Sequence, residues 1–250
     1  MRPVKGKSQD EITLEWERIA KLRAAQIEKG RDLSFSLVLL PSILELTMES
    51  DFTDVIDIGC GSGFLTKELA RKATRVVGID LSQENIDIAQ ARNIESANIK
   101  FINTSVEDYS LSVASPRFTL AIANMSLMTT LHLDGLLESI ARVLKTGAHF
   151  VFTITHPCFW PFYWEYALED WFVYEEEIPI EAPFRISLET CNGLLTTHVH
   201  RPLEQYVSSL LKTGFIIHKI LEPMPNKDIE AKYPSRWKYP RFLGMNCIRR

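Results

Sequence analysis

The sequence predicts an α/β fold that is doubly wound around a mostly parallel sheet. From Thr53 onward, short apolar runs alternate with segments of helical periodicity, as parallel strands and their crossover helices require. Strands are expected near 54–58, 75–79, 99–103, 118–123 and 148–155, and helices near 64–72, 82–94, 131–144 and 202–213. The second observation is a cluster of glycines directly after the first of these strands. It indicates a turn that binds a ligand.

This turn spans Gly59–Gly63 and has the sequence Gly-Cys-Gly-Ser-Gly. Glycine allows both the backbone angles of a tight turn and the close approach of a ligand to the main chain. The helix that follows offers free N–H groups to a polar group of that ligand. The spacing is not the G-x-G-x-x-G of dinucleotide binders, because the turn is followed by Phe64. Asp57, just before the turn, can accept from an ammonium group, which a pyrophosphate site would avoid.

A second acid, Asp80, ends the next predicted strand. A carboxylate at that point suits the diol of a ribose, as in doubly wound nucleotide folds. Residues 57–63 together with 78–80 resemble the first two motifs of class I S-adenosylmethionine (SAM)-dependent methyltransferases, in the type 11-like group that acts on small molecules. The resemblance implies SAM as the cofactor. It also implies a seven-stranded, Rossmann-like sheet whose last strand is antiparallel.

Later segments are similar to further parts of the same family. Residues 99–108 resemble the third strand, 118–125 the fourth strand, and 136–150 the next helix with the fifth strand. Residues 200–223 resemble the last helix with the sixth strand, and 242–248 the seventh strand. One departure occurs in the third-strand segment. The family usually has an Asp-Ala pair facing the adenine, and this chain has Ser105-Val106.

The resemblance implies a cofactor site along the carboxyl edge of the sheet. Asp57 and the glycine turn would hold the methionine end, and Asp80 the ribose hydroxyls. Leu81 and Val106 would sandwich the adenine, and Ser105 and Glu107 would lie at its edge. Asn124 and Met125, after the fourth strand, would line the path to the methyl group. The implied cofactor-binding residues are Asp57, Gly59, Cys60, Gly61, Gly63, Asp80, Leu81, Ser105, Val106, Glu107, Asn124 and Met125.

Composition and charge describe a soluble globular protein. Of the 250 residues, 46% are hydrophobic and 24% are charged. The net charge of −4 argues against non-specific binding to nucleic acid, which requires a basic face. The C-terminal end is nonetheless basic, and we interpret it as a solvated region. Its cationic residues are Lys232, Arg236, Lys238, Arg241, Arg249 and Arg250.

Cysteine usage and hydropathy predict a cytoplasmic protein. The 4 cysteines are scattered and form no C-x-x-C pair, which is typical of free thiols in a reducing compartment and not of a zinc site. Residues 1–9 are polar, and no run approaches the ~20 apolar residues of a membrane span. We therefore expect no signal peptide, no membrane partner and no metal.

Residues 1–50 are predicted to form a helical region ahead of the sheet. Ser8 and Glu11 have the spacing of a capping box, and apolar residues then recur at helical spacing to about residue 29. A second helical region covers 34–48, with a break or restart at Pro41. The first helix is either a lid over the cofactor or a helix that only packs on the core.

Residues 156–200 form an insertion between the predicted fifth strand and the last helix. The first part is rich in aromatic rings, which provide a large contact area at low entropic cost. Ligands of open α/β sheets bind beyond the carboxyl ends of the strands, so we predict a substrate cap with Trp160, Tyr163 and Trp164 as acceptor contacts. The alternative is a satellite core or a homodimer contact.

Histidines of the insertion are candidates for a general base. His156 directly follows the fifth strand, and His198 and His200 flank a strand that returns toward the core. A histidine near its usual pKa takes a proton from a hydroxyl or amine acceptor. We assign His156 and His200 as catalytic, with local hydrogen bonding as the alternative.

We therefore predict an enzyme that transfers a methyl group from SAM to a small-molecule acceptor, at oxygen or nitrogen. The predicted units are the N-terminal lid region, the SAM-binding core 51–155, the cap 156–200 and the C-terminal part of the core 201–250. Two alternatives stay open. One is a tRNA or protein methyltransferase that uses the basic C-terminal end, and the other is a SAM-binding scaffold or partner subunit without catalysis.

Overall fold

The computed structural model describes residues 1–191 and 193–250 in full. The strands are β1 (Arg2–Pro3), β2 (Asp54–Ile58), β3 (Arg75–Asp80), β4 (Ile99–Asn103), β5 (Phe118–Asn124), β6 (Leu144–Thr155), β7 (Ile178–Arg185), β8 (Thr190–His200), β9 (Phe215–Leu221) and β10 (Phe242–Arg249). The helices are α1 (Gln9–Glu28), α2 (Leu40–Leu46), α3 (Phe64–Ala70), α4 (Gln83–Arg92), α5 (Val106–Ser112), α6 (Leu133–Val143), α7 (Trp160–Tyr163), α8 (Leu203–Lys212) and α9 (Lys227–Glu230).

The main sheet has seven strands in the order β4-β3-β2-β5-β6-β10-β9. Strands β2 to β6 pair in parallel, and β10 runs antiparallel to both of its neighbours. Helices connect the parallel strands, so the carboxyl ends of these strands meet at one edge of the sheet. The predicted α/β fold with an antiparallel last strand is confirmed.

Helices cover both faces of this sheet. Ile56 of β2 points into a core cluster that α5, α6 and α8 close. The neighbouring Val55 points into a second cluster, which includes side chains of α2 and α3. Successive side chains of a strand face opposite sides, so burial on both faces requires a continuous apolar run. This is why the central strands are readable in the sequence.

The N-terminal helices follow their predicted signals. Ser8 and Glu11 make both hydrogen bonds of the capping box, and α1 begins directly after Ser8. A π-helical turn at Phe35–Leu39 leads straight into α2, whose second residue, Pro41, has no N–H to donate to the preceding turn. The break expected at Pro41 is thus a change of hydrogen-bond pattern within a continuous helical segment.

Helix α5 lies outside the predicted elements. The strand predicted near 99–103 is β4, which ends at Asn103, and a helix that the sequence analysis did not predict begins at Val106. Ser105 accepts a hydrogen bond from the backbone N–H of Asp108 over 2.9 Å, which is the geometry of an N-cap. The Ser-x-x-Asp pattern was the available signal.

The insertion contains a hairpin of β7 and β8, which β1 extends into a three-stranded antiparallel sheet. This sheet packs on α1 through Ile19, Phe184 and Ile186. Helix α1 and the insertion therefore form one continuous layer. In the part of the chain that the structure describes, no helix is long and apolar enough to cross a membrane.

Candidate active site

The glycine turn lies at the carboxyl end of β2, beside the end of β3. Gly59, Gly61 and Gly63 have φ angles of 68°, 53° and 77°, which glycine adopts at low cost. A Cβ on Gly59 would lie 2.6 Å from Cβ of Ser126, so the turn is closely packed on that side. A Cβ on Gly61 would meet no described atom within 4 Å. The middle of the turn therefore borders open space that a ligand can enter.

Asp57 is fully buried beneath this turn. One carboxylate oxygen, Oδ2, accepts from the Thr66 hydroxyl over 2.6 Å. The other, Oδ1, is buried and has no hydrogen-bond partner among the described residues. Burial raises the pKa of the Asp57 carboxyl to about 7, with the nearby Asp80 adding to the effect. A buried acceptor without a donor is costly, and an ammonium group of a ligand would satisfy it.

Asp80 holds the turn from the neighbouring strand. Its carboxylate accepts from the backbone N–H of Gly61 over 2.8 Å and from that of Ser82 over 2.9 Å. Burial raises the pKa of Asp80, against the effect of these hydrogen bonds, and the charge of Glu17 adds to the rise. The side-chain amide of Asn85 is a third donor, 3.5 Å from Oδ1, so about one of the four lone-pair directions of the carboxylate stays free for a ribose hydroxyl.

The residues implied for adenine are placed unequally. Leu81 is 45% exposed and offers an apolar face at the edge of the sheet. Val106 is only 3% exposed and packs in the main core. The Ser105 hydroxyl accepts from the N–H of Asp108 and donates to the Asp108 carboxylate. Ser105 therefore acts locally as an N-cap, and an adenine contact through this hydroxyl would have to replace one of these bonds.

The exit of β5 is joined to the glycine turn. Met125 has a φ of 56°, a left-handed conformation that is rare for a residue other than glycine and that recurs at functional sites. The preceding Asn124 accepts from the Thr153 hydroxyl over 2.8 Å. The following Ser126 donates from its hydroxyl to the carbonyl of Ile58 over 3.0 Å. These contacts hold the end of β5 beside the glycine turn.

Helix α1 crosses the same edge of the sheet. The side chain of Gln9 bonds to the backbone of Thr129 and Leu131, after β5. Two turns further on, the Glu17 carboxylate accepts from the hydroxyl of Ser82 and from the backbone N–H of Glu84, at the start of α4. The helix thus reaches from the methyl end to the ribose end of the implied cofactor site.

Both predicted catalytic histidines are buried and hydrogen-bonded. His156 accepts at Nδ1 from the N–H of Cys158 over 3.2 Å, and its Nε2 lies 2.7 Å from a carboxylate oxygen of Glu222. His200 places Nε2 3.0 Å from the carbonyl oxygen of Tyr174, so Nε2 carries the proton and Nδ1 keeps a lone pair. Burial lowers the pKa of both rings, for His156 against the opposite effect of Glu222.

His156, His198 and His200 line one small cavity of about 10 Å³, which is about the size of one water. Burial lowers the pKa of His198 to about 4, so this ring is neutral. Within the described residues, no group of three or more His, Cys, Asp or Glu side chains could hold a metal ion.

A much larger cleft, of about 460 Å³, opens beside the carboxyl end of β6. Of the predicted acceptor contacts, Tyr163 and Trp164 line this cleft. Trp160 lines the small histidine cavity instead and stacks on Trp164 with ring centroids 5.6 Å apart. The predicted aromatic cap therefore divides into two rings that face open space and one that supports them.

The cleft also contains residues that the sequence analysis assigned to solvent. Arg241, interpreted as part of a solvated basic end, is only 4% exposed. It lies between aromatic rings of the insertion and of its own segment, where basic and aromatic residues are interleaved from 236 to 241. This interleaving in the sequence indicates that the basic residues pack against aromatic rings in a site, because a solvated basic face needs no aromatic residues.

Residues 55–147 match the family model described as a methyltransferase domain. The match covers less than half of the chain, and it confirms the predicted resemblance of this part to SAM-dependent methyltransferases. The domain is similar to a ubiquinone biosynthesis O-methyltransferase from Pseudoalteromonas translucida, at 29% identity over 101 residues, or 40% of this chain and 42% of that relative. The chain thus spans less than half the length of the curated relatives it matches.

Solved structures extend this likeness beyond the methyltransferase domain. A protein from Listeria monocytogenes assigned to the SAM-dependent methyltransferases superposes with a TM-score of 0.69 at 21% identity, over 85% of this chain and 96% of that one. The 1,6-didemethyltoxoflavin-N1-methyltransferase of Burkholderia thailandensis, with bound 1,6-didemethyltoxoflavin and S-adenosylhomocysteine, gives 0.63 at 14% identity, over 99% and 93%. The likeness in fold to the Burkholderia thailandensis enzyme therefore extends over almost the whole chain, including the N-terminal helix and the insertion.

Proposed function

We propose that this protein is an enzyme that transfers the methyl group of SAM to a small-molecule acceptor, at oxygen or nitrogen. The observation that carries the proposal is the pair of acids at the glycine turn. Asp57 has a buried oxygen without a donor, and Asp80 ends the adjacent strand where a ribose diol binds in nucleotide folds. SAM has both an ammonium group and a ribose diol. NAD has the diol but no such ammonium group.

The described residues fit this cofactor. Asp57 Oδ1 and the N–H groups of the turn would hold the methionine end, Asp80 the ribose, and Leu81 one face of the adenine. Gly61 leaves the space that the ligand needs, since a Cβ there would point into the opening. When bound, SAM supplies an electrophilic methyl group on a positively charged sulfur.

Because the cofactor supplies the reactive group, the work of this chain is to position the two reactants and to exclude water. Asn124 and Met125 line the path from the turn, and their backbone is held by β6. We propose that α1 is the lid of the site, since it is bonded at both ends of the implied cofactor position. A lid in this position keeps water from the acceptor.

A proton must leave the acceptor oxygen or nitrogen during transfer. His200 keeps a lone pair at Nδ1, whereas both ring nitrogens of His156 are engaged. We therefore propose His200 as the base, with His156 in a supporting role beside the same cavity. A single water in that cavity would carry the proton, because the cavity is too small for the acceptor itself.

The size of the cleft favours a small molecule over a tRNA or a protein as acceptor. At about 460 Å³ it falls within the ~300–1,000 Å³ typical of small-molecule sites. The names of the ubiquinone and toxoflavin methyltransferases also describe enzymes for small molecules.

The test is a methyl-transfer assay with methyl-labelled SAM and a small-molecule extract, with mass-spectrometric detection of labelled products. Labelled product and S-adenosylhomocysteine should appear together with the parent protein, and neither should appear with Gly61→Val. Calorimetry with SAM alone runs beside the assay. Failure to bind SAM would refute the proposal. Binding of SAM without any labelled product from the small-molecule extract would also refute it, and would leave the tRNA or protein methyltransferase and the non-catalytic scaffold as the alternatives.

A further inference from the structure

The large cleft concentrates positive charge that methyl transfer alone does not require. Its lining includes four cationic side chains and the carboxylate of Glu165. The cations are Arg185, Arg236, Lys238 and Arg241. The whole chain has a net charge of −4, so this excess of positive charge is a local property of the cleft.

Arg241 is the buried member of this group, at 4% exposure. Among the described residues, no carboxylate lies within the 4.0 Å of an ion pair with it, and its hydrogen bonds go from Nη2 to oxygens of Ser235 and Arg236. Burial lowers the pKa of Arg241. A buried cation without an anionic partner is destabilising, and an anion in the cleft would compensate it.

Aromatic rings shape the space around these charges. The guanidinium of Arg241 lies 3.9 Å from the ring centroid of Tyr163, and that of Arg185, on β7, lies 5.6 Å from the same ring. The rings of Phe159 and Tyr239 lie nearly parallel, 5.6 Å apart, at the rim. The cationic side chains thus lie on two sides of the cleft, on β7 and on the segment before β10, and the rings offer flat apolar faces.

The acids of the insertion do not cancel this charge. Glu177 forms an ion pair with the buried Arg201 over 2.7 Å, away from the cleft lining. Glu165 is the acid of the lining, and its single charge offsets one of the four cations. An ammonium-bearing acceptor would face four like charges and one opposite charge, whereas an anion would face four opposite charges and one like charge.

We propose that the cleft binds the anionic end of the methyl acceptor, and that this acceptor is a flat aromatic molecule with a carboxylate or phosphate group. Arg241 and Arg185 bind the anion, Arg236 and Lys238 at the rim attract it, and the rings of Tyr163 and Trp164 contact the aromatic body. That the bound molecule is the methyl acceptor rests on the proposed function. That it is an anion rests on the cleft alone.

The experiment titrates probes into the full-length protein saturated with S-adenosylhomocysteine. The probes are phenyl phosphate and 4-hydroxybenzoate, with phenol as the neutral analogue and benzylamine as the cationic one. Both anions should bind at least about tenfold more tightly than the other two, as charge-assisted pairing implies. Arg185→Gln combined with Arg236→Gln, both at exposed positions, should reduce that preference clearly, although Arg241 and Lys238 remain. Arg250→Gln is the matched control, because Arg250 is exposed and follows the opposite end of β10.

Three outcomes would overturn the inference. The four probes could bind equally, the double variant could match Arg250→Gln, or the double variant could lose affinity for tRNA while its affinity for the anions is unchanged. The last outcome would indicate that the positive charge of the cleft binds nucleic acid. Calorimetry with SAM separates this inference from the proposed function. A protein that binds SAM but not the anions refutes only the anion site, and one that binds the anions but not SAM refutes only the function.

Discussion

The carboxylate of Asp80 binds the backbone of Gly61 directly, with 2.8 Å between the Gly61 nitrogen and Oδ2. The acid that the family resemblance assigns to the ribose therefore also holds the turn that the same resemblance assigns to the methionine end. One side chain thus couples the two halves of the implied cofactor site. Removing it should affect both.

Asp80→Ala should weaken binding of SAM and of S-adenosylhomocysteine by about 1.5–3 kcal/mol, the usual range for a hydrogen bond to a charged group. The loss includes the freed N–H of Gly61 as well as the unpaired ribose diol. Calorimetry measures it, and NAD should show no binding to either protein. Asp80→Asn is the matched control, since it keeps an acceptor but loses the charge, and should fall in between. An unchanged affinity in the alanine variant would contradict this role of the acid.

Gly61→Val should abolish cofactor binding while the sheet stays folded. The valine would combine a strained φ of 53° with a side chain that points into the open space of the site. Gly147→Val is the matched control, because Gly147 has a φ of 79° and is equally open but lies in β6, away from the turn. Circular dichroism should match the parent for both variants. Normal SAM binding by Gly61→Val would show that the ligand does not enter there.

Cofactor affinity should fall as the pH falls below about 7. The raised pKa of Asp57 means that its carboxyl is protonated below that pH in the free protein, and only the ionised form attracts an ammonium group. Affinity should drop by up to about tenfold per pH unit below 7 and be flat just above it. The folding stability of the free protein depends on pH in the opposite direction. The raised pKa favours folding at low pH, and this contribution is lost as the pH rises through about 7.

Titration calorimetry at several pH values, in buffers that differ in ionisation enthalpy, measures both the affinity and the released proton. Asp57→Asn is the control, because it cannot titrate and should bind weakly at every pH. The acid Asp80 and the thiol of Cys60 lie close by, and burial raises the pKa of both. A pH dependence that survives in Asp57→Asn would assign the titration to one of these groups.

The main sheet was predictable because its central strands are buried on both faces. An apolar run such as 118–123 is compatible with few structures other than a strand. The glycine turn determines where the helix that follows it, α3, begins. The hairpin of β7 and β8 was not predictable to the same degree. It packs on α1, a partner about 160 residues earlier in the chain, and no local pattern reports such a contact.

That Asp57, Gly61 and Asp80 lie together was predictable for a similar reason, since it follows from local geometry at the ends of two adjacent strands. The grouping of the residues that line the cleft was not predictable. Arg185 and Arg241 meet across one cleft only after the hairpin and the C-terminal segment fold together. The aromatic residues around Arg241 indicate a packed environment, but nothing in the sequence reports that Arg185 lies on the facing wall. Ser105 shows the converse, because its family position suggests an adenine contact while its spacing to Asp108 makes it an N-cap.

The aromatic segment should divide into two functional rings and one structural ring. Tyr163→Ala and Trp164→Ala should raise the acceptor KM or lower kcat, because both rings line the cleft. The affinity for SAM should change by less than about threefold, or ~0.7 kcal/mol. Trp160→Ala should instead lower the free energy of unfolding by about 3–5 kcal/mol. Its ring packs on Trp164 and on Phe242, with centroids 5.6 and 5.8 Å apart.

Thermal melts beside steady-state kinetics separate these roles. Phe162→Ala serves as the control, because Phe162 is 53% exposed and lies at the rim of the same cleft, where truncation should cost little stability. Stable Tyr163→Ala and Trp164→Ala proteins with the parent's kinetics on the true acceptor would remove the cap hypothesis. Sedimentation of those same variants would then decide for the remaining use of exposed rings, because a homodimer contact predicts that each substitution shifts the protein toward the monomer, and a cap predicts no shift.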